Sequence, residues 1–457
     1  MIQMHSQELL SVFPQNGYQQ PEFSFNGVEI DSRKACAGSL FIAIKGDAFD
    51  GHQFIADAAT KGAVAVIVEQ PVTVDIPQIL VADTRQALAR LASYWRRKVN
   101  PLVVSITGSN GKTTVKEMLG KILSSQAATL VTPGNFNNDI GVPLTLFRLS
   151  QQDRYAVIEM GANHPQEIRN LVAIAEPDVV YVNNAQAAHI EGFGSLQGVA
   201  QAKGEMYQYC SPDAIAVFNQ DEPSCNYWMS IVSTQKWLRF SSQQSSDVSA
   251  KGVLSADGIS LQVSYQQQQF DCSLKVYGEH NVQNALAAIT LAIACGVAPA
   301  ISCRALDGFA GVKGRQQFVS GINNSVIIND SYNANPDSLK AALKVLCALN
   351  GHAWLALGDM AEMGGESLQM HHQAVSDARD LGVEKLFAIG DMSCRAASLF
   401  GENGFCFEKH DEMAGYLAGQ LCQGVNLLVK GSRSAGMEKV VESLTKNSIN
   451  SGVNHAV

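Results

Sequence analysis

The sequence of 457 residues is long enough for about three domains of ordinary size. It is 46% hydrophobic and 16% charged, which supplies enough apolar surface for folded cores and excludes collagenous and wholly disordered proteins. Its 33 basic and 42 acidic side chains leave a net charge of −9, which argues against general binding of nucleic acids or anionic membranes. Small anionic ligands therefore require local pockets of positive charge.

No targeting or membrane-spanning segment is predicted. Residues 1–13 contain no Lys or Arg ahead of their apolar residues, unlike a secretory signal. Residues 285–303 are uncharged, but Gly296 and Pro299 interrupt them, so we expect a buried helix of about ten residues there rather than a membrane span. We therefore expect a cytoplasmic protein without membrane insertion.

Ten cysteines are spread along the chain without any Cys-x-x-Cys pair. This spacing is typical of neither a zinc site nor a compact disulfide framework. We expect reduced cysteines that serve as small core residues.

The first part of the chain predicts a small α/β domain. Short β-like runs at 39–44 and 63–68 flank an apolar stretch of helical periodicity at 54–59. A helix is predicted at 84–97, and the apolar run at 102–106 then opens a second region.

The second region alternates apolar strands with helical stretches, which predicts a parallel sheet covered on both faces. The predicted strands are residues 156–158, 179–182 and 215–218. Further on, hydrophobic residues alternate in two arms, 259–265 and 270–276. This alternation predicts an antiparallel hairpin with the glutamines at 266–269 in its bend.

The α/β pattern returns in the last part of the chain and predicts a Rossmann-like domain. Its predicted strands are residues 326–328, 354–357, 386–389 and 427–429. Each is followed by polar or glycine-rich residues, which we expect to face a common cleft. The predicted architecture is α/β with three domains: residues 1–85 (a small α/β domain), 86–313 (a central phosphate-loop domain with a mostly parallel sheet) and 314–457 (the Rossmann-like domain).

The strongest local pattern is Thr-Gly-Ser-Asn-Gly-Lys-Thr-Thr at 107–114, between the run at 102–106 and a helix expected to begin near Val115. A glycine-rich turn in this position directs backbone amides at phosphates, and the helix N-terminus adds positive potential. Lys112 would neutralise the outer phosphates, and Thr113 would ligate magnesium. An isolated Gly-Lys-Thr is more often a surface turn, but its place between strand and helix favours nucleotide triphosphate binding. The predicted residues are Gly108, Ser109, Asn110, Gly111, Lys112, Thr113 and Thr114.

The general phosphate-loop pattern has a glycine where this chain has Ile106. The form with Ile resembles the Mur ligases and the folylpolyglutamate synthases. Strings along nearly the whole chain resemble the Mur ligases that add D-alanyl-D-alanine. The resemblance implies an ATP- and Mg²⁺-dependent enzyme that joins D-alanyl-D-alanine to UDP-N-acetylmuramoyl-tripeptide through an acyl phosphate, in peptidoglycan precursor synthesis. Lysine and diaminopimelate both fit as the third residue of the tripeptide, and we expect a monomer.

The resemblance also implies a metal site. Glu159 stands at the end of a predicted strand, where a solvated carboxylate is the alternative, and the family's Glu-Met-Gly string holds magnesium there. His189 matches the family's histidine for a second metal, although a lone loop histidine is weak by itself. Lys203 in Ala-Lys-Gly-Glu-Met matches a lysine that is carbamylated in the family, whereas composition alone favours a helical lysine with its ammonium in water.

The nucleotide site extends beyond the phosphate loop in the resembling family. Asn281 and Asn284 are expected near the adenine, with a helix N-cap as the alternative for Asn281. Asp330 is expected at the ribose. Arg315 is expected near the transferred phosphate, with an exposed charge near a hinge at 311–314 as its alternative.

The remaining strings are implied to bind the substrates. The string at 329–336 is typical of the branch that adds D-alanyl-D-alanine. In the first domain, two cationic side chains would supply the pocket for the UDP end. The implied substrate residues are Ser32, Arg33, Lys45, Asp47, Asn135, Asn137, Asn138, Tyr332 and Asn335.

Two other functions are possible for such a chain. One is a related ligase that adds a single amino acid or glutamate, against which the string at 329–336 argues. The other is a silent nucleotide-binding or scaffolding protein. The joint presence of four polar residues argues against it: Lys112, Glu159, His189 and Lys203.

Overall fold

The structure is a computed structural model and describes residues 1–15, 21–46, 49–187, 190–255 and 257–445. Its N-terminal part contains an antiparallel ribbon of β1 (Gln3–His5) and β2 (Ser24–Asn26). A parallel sheet follows, in the order β3 (Val28–Glu29), β4 (Leu40–Ile42), β5 (Ala65–Val68) and β6 (Gln78–Leu80). The helices are α1 (Ser6–Val12), α2 (Ile55–Thr60) and α3 (Thr84–Val99). The predicted small α/β unit is therefore confirmed.

The central part is built on one large sheet. Its strands are β7 (Leu102–Thr107), β8 (Thr129–Val131), β9 (Tyr155–Glu159), β10 (Val179–Val182), β11 (Ile215–Asn219), β12 (Lys236–Ser241), β13 (Val248–Ser255), β14 (Gly258–Tyr265) and β15 (Gln268–Leu274). Their order across the sheet is β8-β9-β7-β10-β11-β12-β13-β14-β15. Neighbours are parallel from β8 to β13, and the last two pairs are antiparallel.

Helices cover both faces of this sheet, as the apolar strands predict. They are α4 (Lys112–Ser124), α5 (Gly141–Leu146), α6 (Glu167–Ala175), α7 (Ile190–Phe193), α8 (Leu196–Gln208), α9 (Cys225–Ile231), α10 (Glu279–Ala294) and α11 (Pro299–Leu306). Successive side chains of β7 point to opposite faces, so Val103 packs in one hydrophobic core and Val104 in the other. This burial on both faces holds the end of β7 in a fixed position.

The predicted hairpin is present, but its bend is shorter than predicted. Only Gln266 and Gln267 form the turn, with φ values of 47° and 65°, and Tyr265 pairs directly with Gln268. The predicted buried helix is α10. It ends before Gly296, and among the described residues no helix is long and apolar enough to cross a membrane.

The C-terminal part is a mixed sheet between helices. Its strands are β16 (Gln317–Ser320), β17 (Val326–Asp330), β18 (His352–Gly358), β19 (Lys385–Ile389), β20 (Gly404–Phe407) and β21 (Val425–Lys430). They lie in the order β16-β17-β21-β18-β19-β20, and all pairs are parallel except β16 with β17. The helices are α12 (Pro336–Ala348), α13 (Ser367–Asp380), α14 (Asp391–Ala397), α15 (His410–Gln420) and α16 (Glu438–Leu444). The Rossmann-like prediction is confirmed.

One cysteine pair contradicts the expectation of reduced thiols. Cys394 on α14 and Cys406 on β20 form a disulfide. The two elements pack against each other, which brings together cysteines that are 12 positions apart without any recognisable spacing motif. Cys210, Cys225 and Cys303 are free and buried, as expected.

Candidate functional site

The phosphate loop joins β7 to α4, and two glycines give it its shape. Gly108 and Gly111 have φ values of 144° and 77°, in the region that favours glycine. A Cβ atom on Gly111 would lie 2.4 Å from Nδ2 of Asn183 and 2.6 Å from Oδ1 of Asn284. The loop thus packs too closely against two amides for any larger residue.

Lys112 folds back over the phosphate loop. Its Nζ atom donates to the carbonyl oxygen of Gly108 at 2.5 Å and to that of Ser109 at 3.1 Å. Removal from water lowers the pKa of Lys112 to about 8, against the opposing effect of Glu159. Helix α4 begins at Lys112, three residues earlier than predicted, so the helix N-terminus itself reaches the loop.

Glu159 and Thr113 form the candidate metal site. Glu159 ends β9, is 3% exposed, and accepts the Thr113 hydroxyl at 3.0 Å through Oε2. Burial opposes ionisation of this carboxyl, but the ammonium groups of Lys116 and Lys112 hold its pKa below the ordinary value. No three His, Cys, Asp or Glu side chains converge as metal ligands in the described part of the chain. A carboxylate with a hydroxyl fits magnesium, which takes few protein ligands and keeps water or phosphate oxygens.

Lys203 is buried, contrary to the alternative of a solvated lysine. It is 1% exposed, and its Nζ donates to the carbonyl oxygen of Ala162 at 3.1 Å and lies 5.2 Å from the ring centre of Phe193. Burial, together with the positive charge of Lys112, lowers the pKa of Lys203 to about 7. The sequence could not reveal this, because α8 is packed on the face that carries its lysine.

Asn281 and Asn284 form a chain of amides beside the phosphate loop. Asn284 donates to Oδ1 of Asn281 at 3.0 Å and accepts from Asn183 at 3.3 Å. Asn281 itself donates to the carbonyl oxygen of Tyr277 at 2.8 Å. The N-cap of α10 is Gly278, so the N-cap alternative for Asn281 is wrong.

Arg315 reaches the phosphate loop from the C-terminal side. Its guanidinium lies 3.9 Å from the centre of the Tyr332 ring and donates to the Thr113 hydroxyl at 3.3 Å. It is thus no isolated surface charge. Its Nε atom is buried and has no hydrogen-bond partner within the described ranges, which leaves a donor for an anionic ligand.

Asp330 is held by a cation that the sequence analysis missed. Its Oδ2 accepts the Lys430 ammonium at 2.5 Å, and its Oδ1 accepts the Gln316 amide at 3.1 Å. Lys430 is 2% exposed, and burial lowers its pKa against the attraction of Asp330. Both residues line the cleft, so the carboxylate reaches it already ordered.

The C-terminal part closes directly over the phosphate loop. Asn335 caps α12 and donates through Nδ2 to Oδ1 of Asn110 at 2.9 Å. On the same helix, Asp337 accepts the Ala187 amide at 2.9 Å. A cleft of about 1010 Å³, lined by residues of the central and C-terminal parts, lies beside these contacts.

Most of the predicted residues line this cleft. They are Ser109, Asn110, Gly111, Lys112, Thr113, Thr114, Asn135, Asn137, Asn138, Glu159, Lys203, Asn281, Asn284, Arg315, Asp330, Tyr332 and Asn335. Three predicted N-terminal residues are not among its lining residues: Ser32, Arg33 and Lys45. The Arg33 guanidinium instead pairs with Asp31 at 2.8 Å on the surface. Asp47 and His189 lie outside the described residues.

The sequence analysis also missed Lys116 and Arg85. Lys116 is wholly buried on α4, and Arg85 lines the cleft beside its partner Asp139. A helical lysine and a helical arginine are exposed by default, so no sequence pattern distinguished them.

Sequence models of one family match three parts of the chain. The Mur ligase family catalytic domain matches residues 24–96, the Mur ligase middle domain matches 106–292, and the glutamate ligase domain of Mur ligase matches 314–433.

Named relatives match the chain along nearly its full length. It is 40% identical over 434 residues to the UDP-N-acetylmuramoyl-tripeptide–D-alanyl-D-alanine ligase of Escherichia coli K12, with 94% of this chain and 96% of the relative covered. MurF from Acinetobacter baumannii has a TM-score of 0.89 at 36% identity, with 96% and 98% coverage. The MurF ligase of Thermotoga maritima, solved in complex with ADP, has a TM-score of 0.82 at 25% identity, with 93% and 98% coverage. The chain belongs to the Mur ligase family.

Proposed function

We propose that this protein joins D-alanyl-D-alanine to UDP-N-acetylmuramoyl-tripeptide at the expense of ATP, with release of ADP and phosphate. The product is the pentapeptide precursor of peptidoglycan. The observation that carries the choice of substrates is the full-length similarity to ligases of this name. The cleft supports the chemistry, because it gathers cations and a buried carboxylate from two parts of the chain around one phosphate loop.

The reaction has two steps. The terminal carboxylate of the tripeptide attacks the γ-phosphorus of ATP, the bond to the β-phosphate oxygen breaks, and an acyl phosphate and ADP result. The amine of D-alanyl-D-alanine then attacks the acyl carbon, the new amide loses its proton, and phosphate leaves. In both steps the protein has to position charged oxygens and stabilise charge that develops on them.

Lys112 and Arg315 are suited to the phosphate that is transferred. Lys112 is fixed over the phosphate loop by two backbone carbonyl groups. Arg315 faces the same loop from the other side, with a free buried Nε donor. Fixed donors aimed at developing charge are worth most in a cleft that excludes water.

Glu159 and the Thr113 hydroxyl would hold Mg²⁺, with His189 as the candidate ligand for a second ion. Bound magnesium would neutralise charge on the phosphate oxygens of ATP. Lys203 would contribute as a carbamate, which forms when a neutral amine adds carbon dioxide and loses a proton. Its pKa of about 7 supports this proposal, because much of the amine is then neutral near physiological pH.

Two walls of the cleft suit the two substrates that are to be joined. The asparagine loop (residues 132–138) includes Asn135, Asn137 and Asn138. It lies beside Glu159 and would bind the muramoyl peptide. Tyr332 and Asn335 lie on the C-terminal wall, where the dipeptide would enter. The N-terminal residues Ser32, Arg33, Lys45 and Asp47 stay candidates for the UDP end, and Asn281, Asn284 and Asp330 for the nucleoside of ATP.

A panel of amine acceptors tests this function. ADP release should require both UDP-N-acetylmuramoyl-tripeptide and D-alanyl-D-alanine, with little release when alanine, glutamate or lysine replaces the dipeptide. A preference for a single amino acid would contradict the choice of substrate. Saturable ATP binding without any turnover would contradict an enzymatic function.

A further inference from the structure

Lys116 is a buried cation beside Glu159, one of the residues that line the cleft, and no step of the proposed reaction uses it. It lies one helical turn after Lys112 on α4, and none of its side chain is exposed. Burial of an ammonium group is unfavourable unless acceptors and negative charge replace its water. The groups around Lys116 therefore show what its charge holds together.

The groups around its Nζ atom come from two segments besides its own helix. The Nζ atom donates to the carbonyl oxygen of Thr132 at 2.8 Å and to that of Gly134 at 3.2 Å. The same atom lies 3.4 Å from Oε2 of Glu159 and 3.5 Å from Oε1 of Glu117. One ammonium thus connects the phosphate-loop helix with the candidate metal carboxylate and with the start of the asparagine loop.

The asparagine loop at 132–138 is tied to the same carboxylate from its other end. Asn137 donates through Nδ2 to Oε1 of Glu159 at 2.8 Å, and its carbonyl oxygen accepts the Gly161 amide at 2.8 Å. Lys116 thus binds the start of the loop and lies against Oε2 of Glu159, whereas Asn137, near the end of the loop, donates to Oε1. Loss of either contact would free the loop to move relative to the nucleotide site.

We propose that Lys116 is a positioning residue, which holds the loop at 132–138 and the Glu159 carboxylate in register with the phosphate loop. Through them it aligns the reacting carboxylate of the precursor with the γ-phosphate of ATP. The inference rests on the proposed function, because it takes the asparagine loop as part of the precursor site.

The test compares Lys116→Met with Lys116→Gln. Methionine keeps the apolar stem and removes both the donors and the charge, whereas glutamine keeps an amide that can donate to the loop carbonyls. Lys116→Met should raise the KM for the UDP-tripeptide and its Kd, measured calorimetrically without ATP or magnesium, by about tenfold or more, as expected for lost charge-assisted hydrogen bonds. The KM for the dipeptide should change by less than about twofold, and Lys116→Gln should recover part of the precursor affinity.

Lys121→Met is the matched control, because Lys121 lies on the same helix but is exposed, 5.8 Å from the ring centre of Phe309. It should leave every constant unchanged. The proposal is overturned if the precursor KM and Kd stay at wild-type values in both Lys116 variants, or if all substrates weaken equally. Failure of both variants to fold would also overturn it, since the charge would then serve stability. The wild-type enzyme distinguishes failure of the proposed function from failure of the positioning role of Lys116. If the proposed function is wrong, the wild-type enzyme itself forms no pentapeptide.

Discussion

The Nη2 atom of Arg315 lies 3.3 Å from the hydroxyl oxygen of Thr113, although the two residues are 202 positions apart. Thr113 in turn donates to Glu159 at 3.0 Å. One chain of contacts thus runs from the C-terminal part, through the first turn of the phosphate-loop helix, to the candidate metal carboxylate. The C-terminal part therefore contributes directly to the phosphate site.

Arg315→Lys should lower kcat by about 10²-fold or more while the KM for ATP changes little, because a lysine keeps the charge but loses the planar donors that face the phosphate. It also loses the stacking on Tyr332. Steady-state ADP release measures both constants. Arg304→Lys, on the exposed side of α11, is the control. A wild-type kcat for Arg315→Lys would contradict a role of Arg315 at the transferred phosphate.

Lys112→Ala should reduce turnover by about 10²–10³-fold or more, since the loop loses its fixed charge for the outer phosphates. Lys121→Ala, which removes an exposed lysine from the same helix, should have no effect. Near-normal ADP formation by Lys112→Ala would contradict nucleotide binding at this loop.

Lys203→Ala should lose most activity, and a small carboxylic acid that fits the vacated space should restore part of it. Lys203→Arg should stay inactive, because a guanidinium keeps its positive charge and is not carbamylated. Lys344→Ala removes an exposed lysine and is the control. Full turnover by Lys203→Arg would contradict a carbamate.

The pH dependence of carbamylation follows from the lowered pKa of Lys203. Only the neutral amine adds carbon dioxide, and its fraction rises as the pH passes upward through about 7. Enzyme depleted of carbon dioxide should therefore regain activity with bicarbonate more completely at pH 8 than at pH 6. A ¹³C-carbamate NMR signal that follows the same trend would identify the group, and recovery independent of pH would contradict it.

The sequence predicts the parts of the site that local pattern encodes. The phosphate loop and the strand that ends at Glu159 are recognisable, because a buried strand, a glycine turn and a helix follow one another directly. The burial of Lys203 is a property of tertiary packing. Lys116 was missed for the same reason: its acceptor Thr132 lies 16 positions away and looks like an ordinary strand end.

The fold shows the same division. Apolar runs predict the most deeply buried parallel strands, such as β9, β10 and β21, since a strand buried on both faces has a continuous hydrophobic pattern. The short or partly exposed parallel strands β3, β6, β8, β12 and β20 give no such pattern and are not predicted. β13 is not predicted either, because only Val248 and Ala250 are buried and its residues from Lys251 onward are exposed. The sequence predicts a bend of four glutamines at 266–269, whereas the turn contains only Gln266 and Gln267. Composition does not give the register, because register depends on pairing between strands.

The most direct test of the central claim is a single-turnover reaction with tripeptide precursor in which both oxygens of the terminal carboxylate are ¹⁸O. The reaction contains ATP and D-alanyl-D-alanine and is quenched after one turnover. It should yield pentapeptide, ADP and phosphate in equal amounts, and each phosphate should carry one labelled oxygen. Phosphate without label would show that the carboxylate was never phosphorylated, and ADP release without pentapeptide would contradict ligation of the dipeptide.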